Sequence, residues 1–310
     1  MVYDLFDSPT LQNNATLPYS THRISQLREA SDASALAALV AHLQREVGRL
    51  DAERRQAAAD AGQLRRQLRD AARVQCDCVP RALAARGAEI TTLYRPTAGV
   101  GGDVLAAAAS DEGHVTLSIA DVAGHGIGAA MMAPLLERAL AAEWHDGVRT
   151  RRSTITEVMR RANHEVLAQE RRDGLCATAI HARYDGATRT LRFARAGHPH
   201  PVLLRAGERP QPLVSDGLLL GALPDAEWCV QEVQLQPGDR VLFYTDGLAA
   251  LLATHQAASL DDRCVLSWLA ARATHTPAEL MADIHDRIDH AGWDTATADD
   301  VSAAVLTIQA

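Results

Sequence analysis

The chain has 310 residues, 47% of them hydrophobic, and a formal net charge of -8. That length bounds it to one large domain or one domain with a smaller appendage. The acidic balance argues against a general nucleic-acid binder, which carries a basic face. Five cysteines (Cys76, Cys78, Cys176, Cys229, Cys264) are an odd number without zinc-ribbon spacing, which fits a reduced compartment better than a disulfide framework. The N-terminal stretch MVYDLFDSPTLQNNATLPYS has neither the basic start nor the apolar centre of a signal peptide. No window approaches the roughly 20 apolar residues of a membrane span. The expected location is therefore cytoplasmic, with no membrane and no nucleic-acid partner.

Residues 1–21, polar and with Pro9 and Pro18, read as a loose tail. From about Thr21 to Leu83 the composition turns to Ala, Leu, Arg, Gln and Glu, with no proline until Pro80, and predicts helix. Leu36, Leu43, Leu50, Ala57, Leu64 and Ala71 recur every seven residues, and Leu39, Val40, Val47 and Leu68 widen the stripe. The facing row Glu46, Glu53, Asp60 and Gln67 is polar, which makes a poor second coiled-coil seam. Two readings stay open: an amphipathic helix laid on its own domain, or a coiled-coil segment that forms a homodimer or binds an activator protein. After CDCVPRALAARG the texture changes to strand-like runs at Ile90–Tyr94, Val115–Ala120, Cys176–Tyr184, Thr190–Ala194, Pro201–Arg205, Cys229–Leu235, Arg240–Tyr244 and Val301–Ile308. Helical runs interrupt them at Ala129–Trp144, Thr154–Gln169, Leu260–Ala273 and Ala278–Ala291. Several strands alternate apolar and polar residues, as antiparallel strands with one buried face do. The fold class expected is α+β, a layered sheet with helices outside. The domain division expected is a flexible tail (1–21), a helical regulatory and linker segment (22–83) and a globular domain (84–310).

Aspartates stand beside glycines or at the mouths of apolar strands at four places: Asp103 after Gly101-Gly102, Asp121 before VAGHG, Asp246 after RVLFYT, and Asp299-Asp300 before VSAAVLTI. Any one Asp-Gly is most often a turn. If the four places converge, their carboxylates repel by about 4 kcal/mol per close pair at an effective dielectric of 20. Hard oxygen donors without His or Cys suit Mg2+ or Mn2+ rather than zinc. Two such ions can lower the pKa of a shared water and clamp a phosphoryl group for in-line attack.

The segments YRPTAGVGGD, LSIADVAGHGIGAAMMAPLL, CATAIHARYD, LRFARAGHPHPVLLRAG, GLLLGALPD, LQPGDRVLFYTDGL and ADDVSAAVL occur in the order found in PPM-type (protein phosphatase 2C-like) serine/threonine phosphatases. They resemble the SpoIIE/RsbU branch of bacterial partner-switching phosphatases, and the resemblance runs from about Ala71 to Ile308. It implies a central antiparallel β-sandwich flanked by helices in α-β-β-α layers, preceded here by the helical segment. It implies two divalent cations, Mn2+ or Mg2+, held by Asp103, Asp121, Asp246 and Asp299, with Asp121 bridging, the Val122 carbonyl completing one shell and Asp300 acting beside the ligands. The implied reaction is hydrolysis of phosphoserine or phosphothreonine by metal-activated water. The implied substrate is a phosphorylated STAS-type anti-sigma-factor antagonist. His125 is a candidate proton donor to the leaving oxygen or a turn residue; His198 reads as structural. The branch has a second acid where Ala106 stands, which keeps a second reading open: a weak or inactive pseudophosphatase that grips phosphoserine as a signalling scaffold.

Overall fold

The structure is a computed structural model and describes residues 33–79, 81–96, 99–124, 126–141, 153–169, 175–253, 263–291 and 299–309. The expected tail and the expected first turns of the long helix, residues 1–32, lie outside the described residues. Helix α1 runs Ala33–Cys78. By its contacts the chain divides into two units, with the boundary between Leu64 and Arg65 inside that helix.

After α1 come strands β1 (Ala82–Ala85), β2 (Ala88–Arg95), β3 (Asp103–Ala109) and β4 (His114–Val122), then helices α2 (Ile127–Ala141) and α3 (Ile155–Ala168). The chain continues through β5 (Ala177–Asp185), β6 (Thr190–Ala196), β7 (Val202–Leu204), β8 (Gln211–Pro212), β9 (Gln231–Gln234) and β10 (Arg240–Tyr244). It closes with α4 (Asp246–Leu252), α5 (Arg263–Ala270), α6 (Pro277–Ala291) and β11 (Val301–Ile308). Two antiparallel sheets result, ordered β1-β2-β11-β10-β7-β8 and β3-β4-β5-β6-β9.

Strand alternation builds the layers. Val241 and Phe243 of β10 and Ala304 and Leu306 of β11 meet Leu117, Ile119, Ile180 and Phe193 of the other sheet in one core. The intervening residues Leu242, Tyr244, Ala303 and Val305 face outward and are covered by Leu248, Trp268, Leu269 and Ile284 from α4, α5 and α6. Both faces of β10 and β11 are therefore buried, which is why VLFY and VSAAVL read as continuous apolar runs rather than alternating ones. On the far side Val104, Ala120 and Val122 lie under Leu136, Leu140, Val158 and Met159 of α2 and α3. The order α-β-β-α is the expected fold class. Helix starts are set locally: Thr154 and Glu157 form a reciprocal capping box on α3, and Thr276 with Glu279 repeats the pattern ahead of Pro277 on α6.

Three elements differ from the sequence expectation. The helix expected through Leu83 ends at Cys78, and Ala82–Ala85 is a strand pairing with β2 in the register Ala82↔Thr91. No strand is expected at 103–109, yet Asp103 opens β3, whose DVLAAAA carries more helix propensity than strand propensity. Pairing from Asp103↔Asp121 to Ala109↔Val115 overrides that preference. DGLAALL after β10 forms the short α4. Among the described residues, no helix is long and apolar enough to cross a membrane.

Candidate metal centre

The two antiparallel sheets bring the aspartates to one end of the sandwich. Asp103, first in β3, stands directly opposite Asp121, the last residue but one of β4. Directly opposed residues send their side chains to the same face, and like charges placed so are destabilising. That face is the one that meets the other sheet, since Leu105, Leu117 and Ile119 share it. From the other sheet, Thr245 ends the turn out of β10 and Asp246 opens α4, while Asp299 and Asp300 lead into β11.

Three of the carboxylates are shifted upward by burial and by their acidic neighbours. Asp103, only 3% exposed, has its carboxyl pushed well above the usual range by burial, then by Asp121 and Asp300. Asp121 is raised to about 8 by burial, then by Asp246, Asp299 and Asp300. Asp246 is raised by burial and Asp299. Among the described residues, no arginine or histidine is one of the groups that shift these three.

The hydrogen bonds around the site hold specific atoms. Asp103 Oδ2 accepts from Ser302 Oγ at 2.6 Å and from Thr245 Oγ1 at 2.9 Å. Thr245 Oγ1 in turn accepts from the Ser302 amide at 3.0 Å, and the Thr245 amide donates to the Ser302 carbonyl at 3.0 Å. Asp300 Oδ2 accepts from the Gly102 amide at 2.8 Å. Asp299 Oδ1 accepts from the Asp300 amide at 2.9 Å. Gln75 of α1 brackets Gly101: its Nε2 donates to the Gly101 carbonyl at 3.2 Å and its Oε1 accepts from the Gly101 amide at 3.1 Å.

The glycines here make room. A Cβ on Gly101 would collide with the Asp300 carboxylate, and one on Gly247 with the Asp300 carbonyl. A Cβ on Gly102 would sit 3.1 Å from the Val122 carbonyl oxygen and 3.0 Å from Ala129 Cβ. The bare glycine thus leaves that carbonyl approachable.

Of the residues expected from sequence, Asp103, Asp121, Val122, Asp246, Asp299 and Asp300 gather here; His125 lies outside the described residues. Among the described residues, no three His, Cys, Asp or Glu side chains enclose a single point as a closed ligand set. The donor chemistry still fits hard cations: mutually repelling carboxylates, an approachable carbonyl and no thiolate or imidazole. Thr245 and Gln75 were not singled out as site residues by sequence reasoning, and Ser302 only as a serine where the resembling branch commonly has threonine. Thr245 precedes Asp246 and Ser302 follows Asp300 by two, so strand alternation was the available signal; for Gln75 the signal was the stretch AARVQCDCVPRAL, which resembles the branch's linker helix. His198 is buried, meets Thr178 Oγ1 through Nδ1 at 2.6 Å, and is pushed down to about 3 by burial, as a structural histidine would be. A cavity of about 520 Å³ lined by His114, Thr154, Arg183 and Arg192 sits at the opposite end of β4 and shares no residue with the aspartates.

Comparison with known proteins bears on the fold and the family. The family model for Stage II sporulation protein E (SpoIIE) matches residues 111–309, a span that takes in Asp121, Asp246, Asp299 and Asp300 and begins after Asp103. Phosphoserine phosphatase RsbP of Bacillus subtilis is 24% identical over 192 residues, 59% of this chain and 45% of that protein. The chain spans less than half the length of the curated relatives it matches. The RsbU and RsbW domains of Rv1364c from Mycobacterium tuberculosis match with 25% identity and a TM-score of 0.59, over 72% of this chain and 60% of that one. The SiaA-PP2C domain of Pseudomonas aeruginosa shares the fold with a TM-score of 0.66 and 19% identity, over 81% of this chain and all of that one. The catalytic domain of the serine/threonine phosphatase PstP, solved with two manganese ions, shares the fold with a TM-score of 0.52 and 19% identity, over 72% of this chain and 99% of that one. A PP2C-type sandwich with aspartates at its mouth, matched by the family model over more than half its length, belongs to the SpoIIE family.

Proposed function

We propose that this chain is a metal-dependent phosphoprotein phosphatase acting on phosphoserine or phosphothreonine. Its substrate would be a phosphorylated STAS-type anti-sigma-factor antagonist in a cytoplasmic partner-switching pathway. The observation that carries the proposal is the meeting of five aspartates from both sheets at one end of the sandwich, each of the three shifted ones perturbed by another. Asp103, Asp121, Asp246, Asp299 and the Val122 carbonyl would hold two divalent cations, Mn2+ or Mg2+. Bound there, the cations would neutralise the carboxylates and supply a water of lowered pKa together with a clamp for phosphoryl oxygens. Thr245 and Ser302 fix the Asp103 carboxylate, and Asp300 holds Gly102 so that the Val122 carbonyl stays approachable. The reaction adds water across the phosphoester. The water oxygen bonds to phosphorus, the bond from phosphorus to the side-chain oxygen breaks, and that oxygen leaves as a hydroxyl after taking a proton, for which His125 is the candidate donor. The division into tail (1–21), regulatory helix and linker (22–83) and catalytic domain (84–310) belongs to the same proposal.

The second reading, a phosphoserine-binding scaffold without turnover, rests on Ala106. Strand alternation argues against it: position 106 shares its face of β3 with Val104, toward the helices, opposite the face that carries Asp103. An acid missing there leaves no gap beside Asp103. The test is phosphate release from a phosphorylated antagonist with Mn2+. Turnover that vanishes in EDTA and in Asp246→Asn is expected. Equal turnover in EDTA would sink the metal reading, and a stable complex without phosphate release would favour the scaffold.

A further inference from the structure

We propose that the first half of α1 is one strand of a parallel, in-register, two-stranded coiled coil whose other strand is the same helix of a second copy of this chain. The inference rests on α1 alone and not on the phosphatase reading. Positions 36, 40, 43, 47, 50, 54, 57, 61 and 64 alternate steps of four and three without a break. The d positions are Leu36, Leu43, Leu50, Ala57 and Leu64, and the a positions are Val40, Val47, Arg54 and Ala61. The second seam is thus the row four residues on from the leucines, not the acidic row Glu46, Glu53 and Asp60. The six large apolar residues of this seam stand 46% to 59% exposed. Beyond Leu64 the same register is already occupied by the chain itself: Leu68 lies 3.4 Å from the position a Gly99 Cβ would take, and Gln75 brackets Gly101. The uncovered seam spans about four heptads, the length over which a heptad pattern identifies a coiled coil.

Three features choose the occupant. Valine at a with leucine at d favours two parallel strands. Arg54 at an a position is a polar interruption of the kind that fixes register and strand number, and in parallel register it meets Glu53 of the partner subunit. The acidic g row decides orientation. Antiparallel strands would set Glu46, Glu53 and Asp60 against the same row of the other helix. Parallel strands set Asp60 against Arg65 of the partner subunit and leave one like-charge pair, Glu46 against Asp51 of the partner subunit. Gly48 and Gly62 fall at b positions, outside the seam.

The test uses the full chain. Light scattering and sedimentation at 1–50 µM, on the order of the concentrations at which such helices pair, should show a dimer. Val47→Asp with Leu50→Asp should weaken dimerisation by at least about 100-fold while far-UV circular dichroism and the melting of the globular unit stay as in the parent. Arg54→Val should tighten it by about tenfold or more or shift it toward a higher oligomer. With Cys76 and Cys78 replaced by serine, Leu43→Cys should give a disulfide-linked dimer under mild oxidation. A monomeric parent chain, a dimer unaffected by the double aspartate, or an intact dimer of the Leu43→Cys variant that forms no cross-link would each overturn the proposal. So would a parent that is monomeric alone and takes up a different helical protein through this seam.

Discussion

Thr245→Val isolates the role of a single hydroxyl group in the candidate metal centre. The two side chains have nearly the same shape, but valine cannot donate to Asp103 Oδ2, 2.9 Å away, nor accept from the Ser302 amide at 3.0 Å. Thr245 is fully buried, so water cannot replace either bond. A hydrogen bond to a charged acceptor contributes about 1.5–3 kcal/mol, and an unpaired buried amide costs about 1–3 kcal/mol. The first figure falls on the ionised Asp103, the form a cation requires. Burial and the neighbouring carboxylates raise Asp103, and Ser302 and Thr245 oppose that rise. The variant should therefore bind Mn2+ about 10-fold to 100-fold more weakly, by calorimetric titration at pH 7.5, while Thr245→Ser binds as the parent does. The second figure falls on the fold and should lower the melting temperature in EDTA by a few degrees. Unchanged Mn2+ affinity in a folded Thr245→Val protein would refute the positioning role. A parent chain that binds no Mn2+ would instead refute the ligand set.

Three further outcomes follow from the same geometry. Asp121 is raised to about 8 in the folded chain, against about 3.9 unfolded; its contribution to stability is complete below the unfolded value and is lost as pH rises through about 8. The melting temperature in EDTA should fall between pH 6.5 and 8.5 and the slope should disappear in Mn2+; a metal-free melting temperature that rises over this range contradicts the assignment. His181 and His198, each pushed down to about 3 by burial, have the opposite sign but are already neutral throughout that window. Gly247→Ala drives a methyl into the Asp300 carbonyl, and overpacking of this kind costs about 1–3 kcal/mol; scanning fluorimetry in EDTA that finds no loss would show that the loop gives way freely. Gln75→Ala removes both bonds that bracket Gly101; at about 0.5–1.5 kcal/mol each, amide exchange at Gly101 and Gly102 should quicken by about 5-fold to 150-fold, and unaltered exchange would mean that the Asp300 bond to Gly102 holds the loop alone.

The sandwich was legible where burial wrote itself into the sequence. VLFY and VSAAVL, apolar on both faces, announced the two central strands of one sheet, and SIADV with IHARY announced two of the other. The strand β3 was not legible, because DVLAAAA carries neither alternation nor β-branching beyond Val104; its conformation comes from pairing with β4, a contact between segments that only the fold brings together. For the same reason Ala82–Ala85 read as the end of a helix. The site was legible as a list of aspartates and glycines and illegible as a network. The bond from Ser302 to Asp103 joins residues 199 positions apart, and Gln75 reaches its glycine from a helix that reads by composition alone as a separate segment.

The raised carboxyls admit a different chemistry, and the hydrogen bonds decide between the two. A pair such as Asp103 and Asp121, both raised, could share a proton and act as an acid dyad. A dyad needs a carboxyl that donates, yet the backbone amides that bond Asp300 and Asp299 leave those carboxylates only the role of acceptor. Two hydroxyls converge on the one oxygen Asp103 Oδ2. The Gly102 amide points at Asp300 and the Asp300 amide at Asp299. Backbone donors at the start of α4 pull Asp246 down against its burial. Each of these contacts favours the ionised form, while among the described residues no cationic side chain is one of the groups that shift Asp103, Asp121 or Asp246. Donors arranged for anions suit a neutralising charge that comes from solution, which a shared proton, erasing the anions, would not require.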